Sequence, residues 1–246
     1  MAATDPVRAI RTQDLTEADP TPGMRRQKAF TAPGLWAGLV HTEAGATSGW
    51  HHHGSHQTSL FVVTGMMRLE SGPDGQVVAE AGPGEFLHGP AGAVHRETNP
   101  GSERSTAVIA RSGHGAPTVN VVGPAAALRP DDGQAPRARR YRALDVDPEP
   151  DATTYVEHDR SPDLSVGTYA IASGAMDAQD PHTEDEVYVV VSGAATLWTP
   201  DQRLEAEVGD VLVVPAGLEH RFVDVQPGFR VVVAFGPAEG GRSNAF

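Results

Sequence analysis

The strongest constraint on this chain is that its second half repeats its first. His53 and His182 lie 129 residues apart, Gly65 and Gly193 lie 128 apart, and Gly84 and Gly209 lie 125 apart. The same punctuation recurs in each half. Gly45, His51, His53, Gln57 and Gly65 are followed by Gly84, Pro90, Gly92, His95 and Asn99. Gly174, Asp180, His182, Glu186 and Gly193 are followed by Gly209, Pro215, Gly217, His220 and Asp224. A near-constant offset over several landmarks is an internal duplication, so 246 residues read as two similar units in tandem.

Each unit reads as β-structure. Residues 60–64 are apolar and β-branched and end at Gly65, as a buried strand and turn require. Residues 66–70 form the return strand, and residues 71–75 (Ser-Gly-Pro-Asp-Gly) are a turn. Residues 77–80, 84–88 and 107–110 supply further strands. The 27 Gly and 20 Pro fit a fold with many turns.

A strand sends residues i and i+2 to one face. His51 and His53 therefore point inward together and His52 points out, while His95 arrives from a separate strand. Imidazoles that converge from two strands suit Fe, Zn, Cu or Ni. Three adjacent histidines alone would favour a solvated surface run; the long second motif that ends in His95 and Asn99 reverses this in favour of a metal site.

These motifs resemble those of the cupin family. The second cupin motif, G-x5-P-x-G-x2-H-x3-N, is met at every defined position by Gly84, Pro90, Gly92, His95 and Asn99. The first, G-x5-H-x-H-x3/4-E-x6-G, is met by Gly45, His51, His53, Gln57 and Gly65 with two departures. Gln replaces Glu, and seven residues rather than six precede the last Gly. The second half matches with Asp180 in place of the first His and Asp224 in place of Asn. The resemblance implies an all-β bicupin: two tandem double-stranded β-helix (jelly-roll) barrels, at residues 24–112 and 150–238. An N-terminal arm (1–23), a linker (113–149) and a tail (239–246) surround them.

The resemblance also assigns His51, His53, Gln57 and His95 to a metal. A neutral Gln would leave a divalent ion its full charge and favour an anionic substrate. In the second barrel it points to His182, Glu186 and His220, a two-His, one-carboxylate set typical of Fe(II). Asp180 is either a fourth ligand or turned away by Pro181, and Gln179 is a further candidate; Glu184 and Asp185 are expected to face solvent. Trp50, Phe61 and Phe86 are pocket candidates or ordinary core. His88 is either an acid or base of the pocket or a structural histidine.

Charge and composition exclude other classes. A net charge of -13 disfavours nucleic acid and anionic membranes. The absence of Cys removes disulfides, thiolate ligands and Cys nucleophiles. No apolar run could span a bilayer, and no signal-type stretch opens the sequence, which points to the cytoplasm. Arg129, Arg137, Arg139, Arg140 and Arg142 read as a solvated linker that offsets nearby acids, in preference to an anion site. The arm is expected to wrap a neighbouring subunit, and open sheet edges favour a homodimer.

The resulting expectation is a mononuclear metal-dependent dioxygenase of the quercetinase type. It would use a divalent transition metal, Fe(II) foremost and otherwise Zn, Ni, Mn or Cu, with O2 and a small anionic or dihydroxylated substrate. The alternatives are a non-oxidative cupin isomerase, decarboxylase or lyase, and a binding protein without turnover.

Overall fold

The computed structural model describes residues 8–10, 14–18, 23–32, 34–112, 118–124, 137–139 and 142–240. Among them the regular structure is β-strand, with short 3-10 turns and no α-helix. Among the described residues no helix is long and apolar enough to cross a membrane. The chain divides into two compact units, 16–142 and, together, 1–15 with 143–246.

In the first unit, a seven-stranded sheet runs in the order Arg137–Arg139, Phe86–Gly89, Thr58–Thr64, Ser105–Ser112, Leu35–Thr42, Met24–Ala32, Thr16–Glu17. A five-stranded sheet runs Val119–Asn120, His51–His52, His95–Thr98, Met67–Ser71, Val77–Ala81. Leu60, Val62 and Ile109 from the larger sheet pack against Met67, Leu69 and Ala79 from the smaller. Fully burying each such aliphatic side chain contributes about 1.5–3 kcal/mol, which holds the two sheets together as a barrel.

The second unit repeats this plan. Its six-stranded sheet runs Arg8–Ile10, Val211–Val214, Asp185–Ser192, Arg230–Gly236, Leu164–Ile171, Thr153–Ser161. Its three-stranded sheet runs Arg203–Glu207, Ala194–Trp198, Arg221–Val223. Tyr188, Leu212, Val233 and Phe235 pack on Leu197, Ala206 and Phe222. The last Gly of the first motif is explained in both units. Gly65 and Gly193 have φ of 72° and 67°, and a Cβ there would lie 2.7 Å from the Cα of Ser105 and of Phe229. Only Gly turns left-handed at so close a backbone approach.

The duplication reaches further than the motifs. Arg8–Ile10 pairs with the second unit's Val211–Val213, Arg8 opposite Val213 and Ile10 opposite Val211. Arg137–Arg139 pairs with the first unit's Phe86–Gly89, Arg137 opposite His88 and Arg139 opposite Phe86. Arg8-Ala9-Ile10-Arg11 and Arg137-Ala138-Arg139-Arg140 again lie 129 residues apart. Each repeat therefore begins with a strand that covers a sheet edge of the other repeat's barrel. The segment read as an arm and the Arg-rich segment read as a linker both carry such a strand. Residues 1–7, Arg129 and Arg140 lie outside the described residues.

Candidate functional site

In the first unit, His51 and His95 are register partners across an antiparallel pair of strands. His53 follows by the strand period. The ring centroids form a near-equilateral triangle, 5.0 Å for His51–His53, 4.7 Å for His51–His95 and 5.0 Å for His53–His95. Glu97, two residues after His95 on the same strand, joins them, and all four side chains are buried. One ligand atom from each lies within 4.8 Å of all the others. Among the described residues this is the group of His, Asp and Glu with the geometry to hold a metal ion.

The rings are held by the backbone. His51 Nδ1–H donates to Gly49 O at 2.9 Å, and His95 Nδ1–H donates to Ala93 O at 2.8 Å. Both rings therefore turn Nε2, with its lone pair, toward the centre. His51 Nε2 and Glu97 Oε1 lie 3.8 Å apart, and among the described residues these buried atoms have no hydrogen-bond partner. Buried polar atoms are normally satisfied. A divalent ion among these nitrogens and oxygen would satisfy both, so the residues present fit a metal.

The charges around the triangle are specific. Glu97 Oε2 accepts from Arg26 Nη2 at 2.7 Å. Burial pushes the Glu97 carboxyl up, but Arg26 and then His51 outweigh it and hold the group well below the usual carboxylate range. Burial pushes His95 down to about 4. Burial and the adjacent Arg111 hold His53 well below its ordinary value. Neutral imidazoles are the form a metal takes. Arg111 is itself buried; its Nε donates to Thr58 Oγ1 at 3.1 Å, and its Nη2 lies 3.4 Å from His53 Nε2. Its guanidinium sits 5.5 Å from the Trp36 ring centre. Burial lowers it to about 10, which leaves it cationic at neutral pH.

The second unit has the same frame with a different content. His220 Nδ1–H donates to Leu218 O at 2.8 Å, as His95 does to Ala93 O. The phenol of Tyr188 lies where His220 Nε2 points. Tyr188 O–H donates to Glu186 Oε2 at 2.5 Å, and its oxygen lies 3.1 Å from His220 Nε2. Gln179 Oε1 is 3.3 Å away from the same phenol. Burial lowers His220, but Glu186 outweighs it and the imidazole rises above its ordinary value. Burial and then Glu186 push the Tyr188 phenol well up, keeping it protonated. His182 stands apart, its ring centre 6.1 Å from that of His220 and its Nδ1 3.8 Å from Glu239.

The sequence matches the cupin domain over residues 38–110 and 167–233, one segment in each unit. The chain belongs to the cupin family. An uncharacterized protein of Streptomyces coelicolor, SCO3923, is 37% identical over 103 residues, which is 42% of this cupin and 98% of that protein. The crystal structure of Escherichia coli Ylba covers 98% of this chain and 93% of its own at 14% identity, with a TM-score of 0.68. Salicylate 1,2-dioxygenase from Pseudaminobacter salicylatoxidans gives 0.63 at 18% identity, covering 83% of this chain and 71% of its own. A Bacillus subtilis oxalate decarboxylase variant gives 0.68 at 13% identity, covering 97% and 78%. At these identities the likeness is one of fold: two cupin barrels in one chain.

The cupin frame shows where the motif residues went. Thr58 pairs with Gly89 as Glu186 pairs with Val214, and Arg111 lies opposite Thr58 as Phe235 lies opposite Glu186. The extra residue before Gly65 thus places Thr58, not Gln57, in register with Glu186. A one-residue shift turns a side chain to the other face. Gln57 Oε1 instead accepts from Ala91 N at 3.3 Å, the loop bond that Asp185 makes to Ala216 N at 3.0 Å in the second unit. The carboxylate among the imidazoles is Glu97, and the expectation of an all-neutral site does not hold.

Alternation also separates the pocket candidates from the triangle. Thr58, Leu60, Val62 and Arg111 share the core face, so Phe61, Phe86 and His88 leave the sheet on the other side. Phe61 and Phe86 pack against each other with tilted rings, centroids 5.0 Å apart. Trp50 carries Arg96, at 4.9 Å, and Arg96 points away from His95 and Glu97 on its own strand. Asp180 is exposed, whereas Asp177 is buried and accepts from Tyr169 O–H at 2.6 Å. Glu184, expected in solvent, is buried and accepts from Thr183 Oγ1 at 2.9 Å. Glu97, Arg26, Arg111, Tyr188 and Asp177 escaped the motif reading. Glu97 had a signal, since it lies two residues beyond His95 and shares its face.

Proposed function

We propose that this cupin is a mononuclear metal-dependent oxygenase acting on a small anionic or dihydroxylated organic molecule. One divalent transition ion, Fe(II) by preference, is held in the first unit by His51, His53, His95 and Glu97. The observation that carries the reading is the buried triangle whose unpartnered His51 Nε2 and Glu97 Oε1 face each other beside the cation Arg111. The ion, when bound, supplies a Lewis acid and a redox partner for O2. The backbone carbonyls of Gly49 and Ala93 keep the imidazoles in the ligating orientation, so little reorganisation is needed. Arg26 keeps Glu97 ionised and aimed. Arg111, fixed by Thr58 and Trp36, offers Nη2 to a carboxylate or phenolate beside His53. In a buried site such a charge-assisted bond is strong and directional.

The solved relatives named for salicylate and oxalate act on small carboxylic acids, and this motivates the same class here. The test is oxygen consumption by Fe(II)-loaded protein over a panel of hydroxybenzoates and short dicarboxylates. Oxygen uptake matched to substrate loss is expected. Arg111→Met should weaken substrate binding by roughly 10–100-fold, the worth of one hydrogen bond to a charged group. Turnover that continues without O2 and releases CO2 moves the same site to the non-oxidative class, which the likeness to oxalate decarboxylase favours. A protein that takes up no ion sinks both readings.

A further inference from the structure

The second unit contains a cavity of about 150 Å³ that the metal reading does not use. Its walls include Tyr155, Tyr169, Tyr188 and Phe235, with His182 and Glu239 also lining it. Two features set its chemistry. Two of the three phenol protons are committed: Tyr169 O–H donates to Asp177 and Tyr188 O–H donates to Glu186. These tyrosines therefore offer a guest their ring faces and acceptor oxygens rather than donors. The charges behind the walls are also mainly negative. Asp177 and Glu186 are buried beneath the two phenols, and Glu239 lies at the cavity itself. On the positive side, Arg160 is paired with Glu157, its Nη1 turned to the Glu239 carbonyl, and His182 and His220 face Glu239 and Glu186. Among the described residues no Lys or Arg lines the cavity.

An aromatic enclosure backed by carboxylates is poorly suited to an anion. It suits a cation with an apolar surface, because ring faces attract positive charge without needing to donate to it. The volume matches a guest the size of benzene. We propose that the second unit is a binding site for a small alkylammonium ion, its methyl groups against Tyr155, Tyr169, Tyr188 and Phe235 and its charge toward Glu239. The site is independent of the metal in the first unit.

Calorimetric titration of the full chain with choline chloride, tetramethylammonium chloride and 3,3-dimethylbutan-1-ol tests this. The alcohol has the shape of choline without its charge. Saturable binding of both cations at one per chain is expected, with the alcohol at least tenfold weaker because it lacks the charge that the ring faces attract. Glu239→Gln and Tyr155→Leu, both at partly exposed positions, should each weaken choline by roughly tenfold while the metal content of the first unit stays unchanged as a check on folding. Equal affinity for alcohol and choline, absence of saturable binding of either cation, or choline binding unaltered in both variants would overturn the proposal.

Discussion

The two cupin barrels hold one frame and opposite chemistry. In each, a histidine of the second motif donates Nδ1–H to a carbonyl two residues back and turns Nε2 inward. Around His95, Nε2 meets two more imidazoles and Glu97, with Arg111 at the edge. Around His220, it meets the phenol of Tyr188, while Phe235 takes the register position of Arg111 and Phe222 stands two residues after His220 as Glu97 stands after His95. Duplication preserved the strands and turns, because these are fixed by backbone geometry. The inward side chains were free to diverge, since a site needs only compatible volume and satisfied polar atoms.

The largest expected difference comes from Glu97→Gln. The part-buried Arg26 loses the countercharge that buried Glu97 supplies, and breaking a buried pair costs up to roughly 3–5 kcal/mol. Chemical denaturation should show that loss, together with weaker metal binding. The equivalent change at the other barrel, Phe222, has no charge to unbalance.

Acid should separate the barrels next. In metal-stripped protein, His95 stays neutral to about 4, whereas in the unfolded chain it protonates near 6.5. The unfolded state then binds the extra proton, so stability falls as pH drops from about 6.5 to 4, by about 3 kcal/mol. His220 has the opposite sign: its raised value gives stability present below about 6.5 and lost as pH climbs through the folded value. Hydrogen exchange followed through this range should show the first unit loosening in acid before the second. The reverse order contradicts the assignment of both environments.

A smaller effect is expected from Tyr188→Phe. Glu186 Oε2 and His220 Nε2, already 3.5 Å apart, can pair directly, so the loss should be about 1 kcal/mol in thermal unfolding. Metal content should not change, because the ring still fills the place. Smallest of all is Gln57→Glu. The new carboxylate still accepts from Ala91 N–H outside the triangle, so stability should move by less than about 0.5 kcal/mol and metal affinity not at all. A clear gain in metal affinity would bring Gln57 back into the ligand set.

Much of this was legible in the chain. Motif spacing and the 129-residue offset announced two β-barrels, and strand alternation put His51 and His53 together. The register around Gln57 was not legible. One inserted residue in the 57–65 segment exchanges the faces of Gln57 and Thr58, and a motif match cannot tell an insertion in the turn from one at the strand start. Tyr188 was hidden for a different reason. In a strand of residues 187–191 that reads as continuous apolar sequence, nothing marks one hydroxyl as the partner of a carboxylate and an imidazole.

The number of ions per chain tests the assignment of the metal to the first barrel most directly. Purified protein reconstituted with Fe(II) or Zn(II), desalted and measured by elemental analysis should hold one ion. His95→Ala should hold none, and His220→Ala should keep its one. Two ions in the unaltered chain, or a single ion that survives His95→Ala and disappears with His220→Ala, would contradict the assignment of the metal to the first barrel.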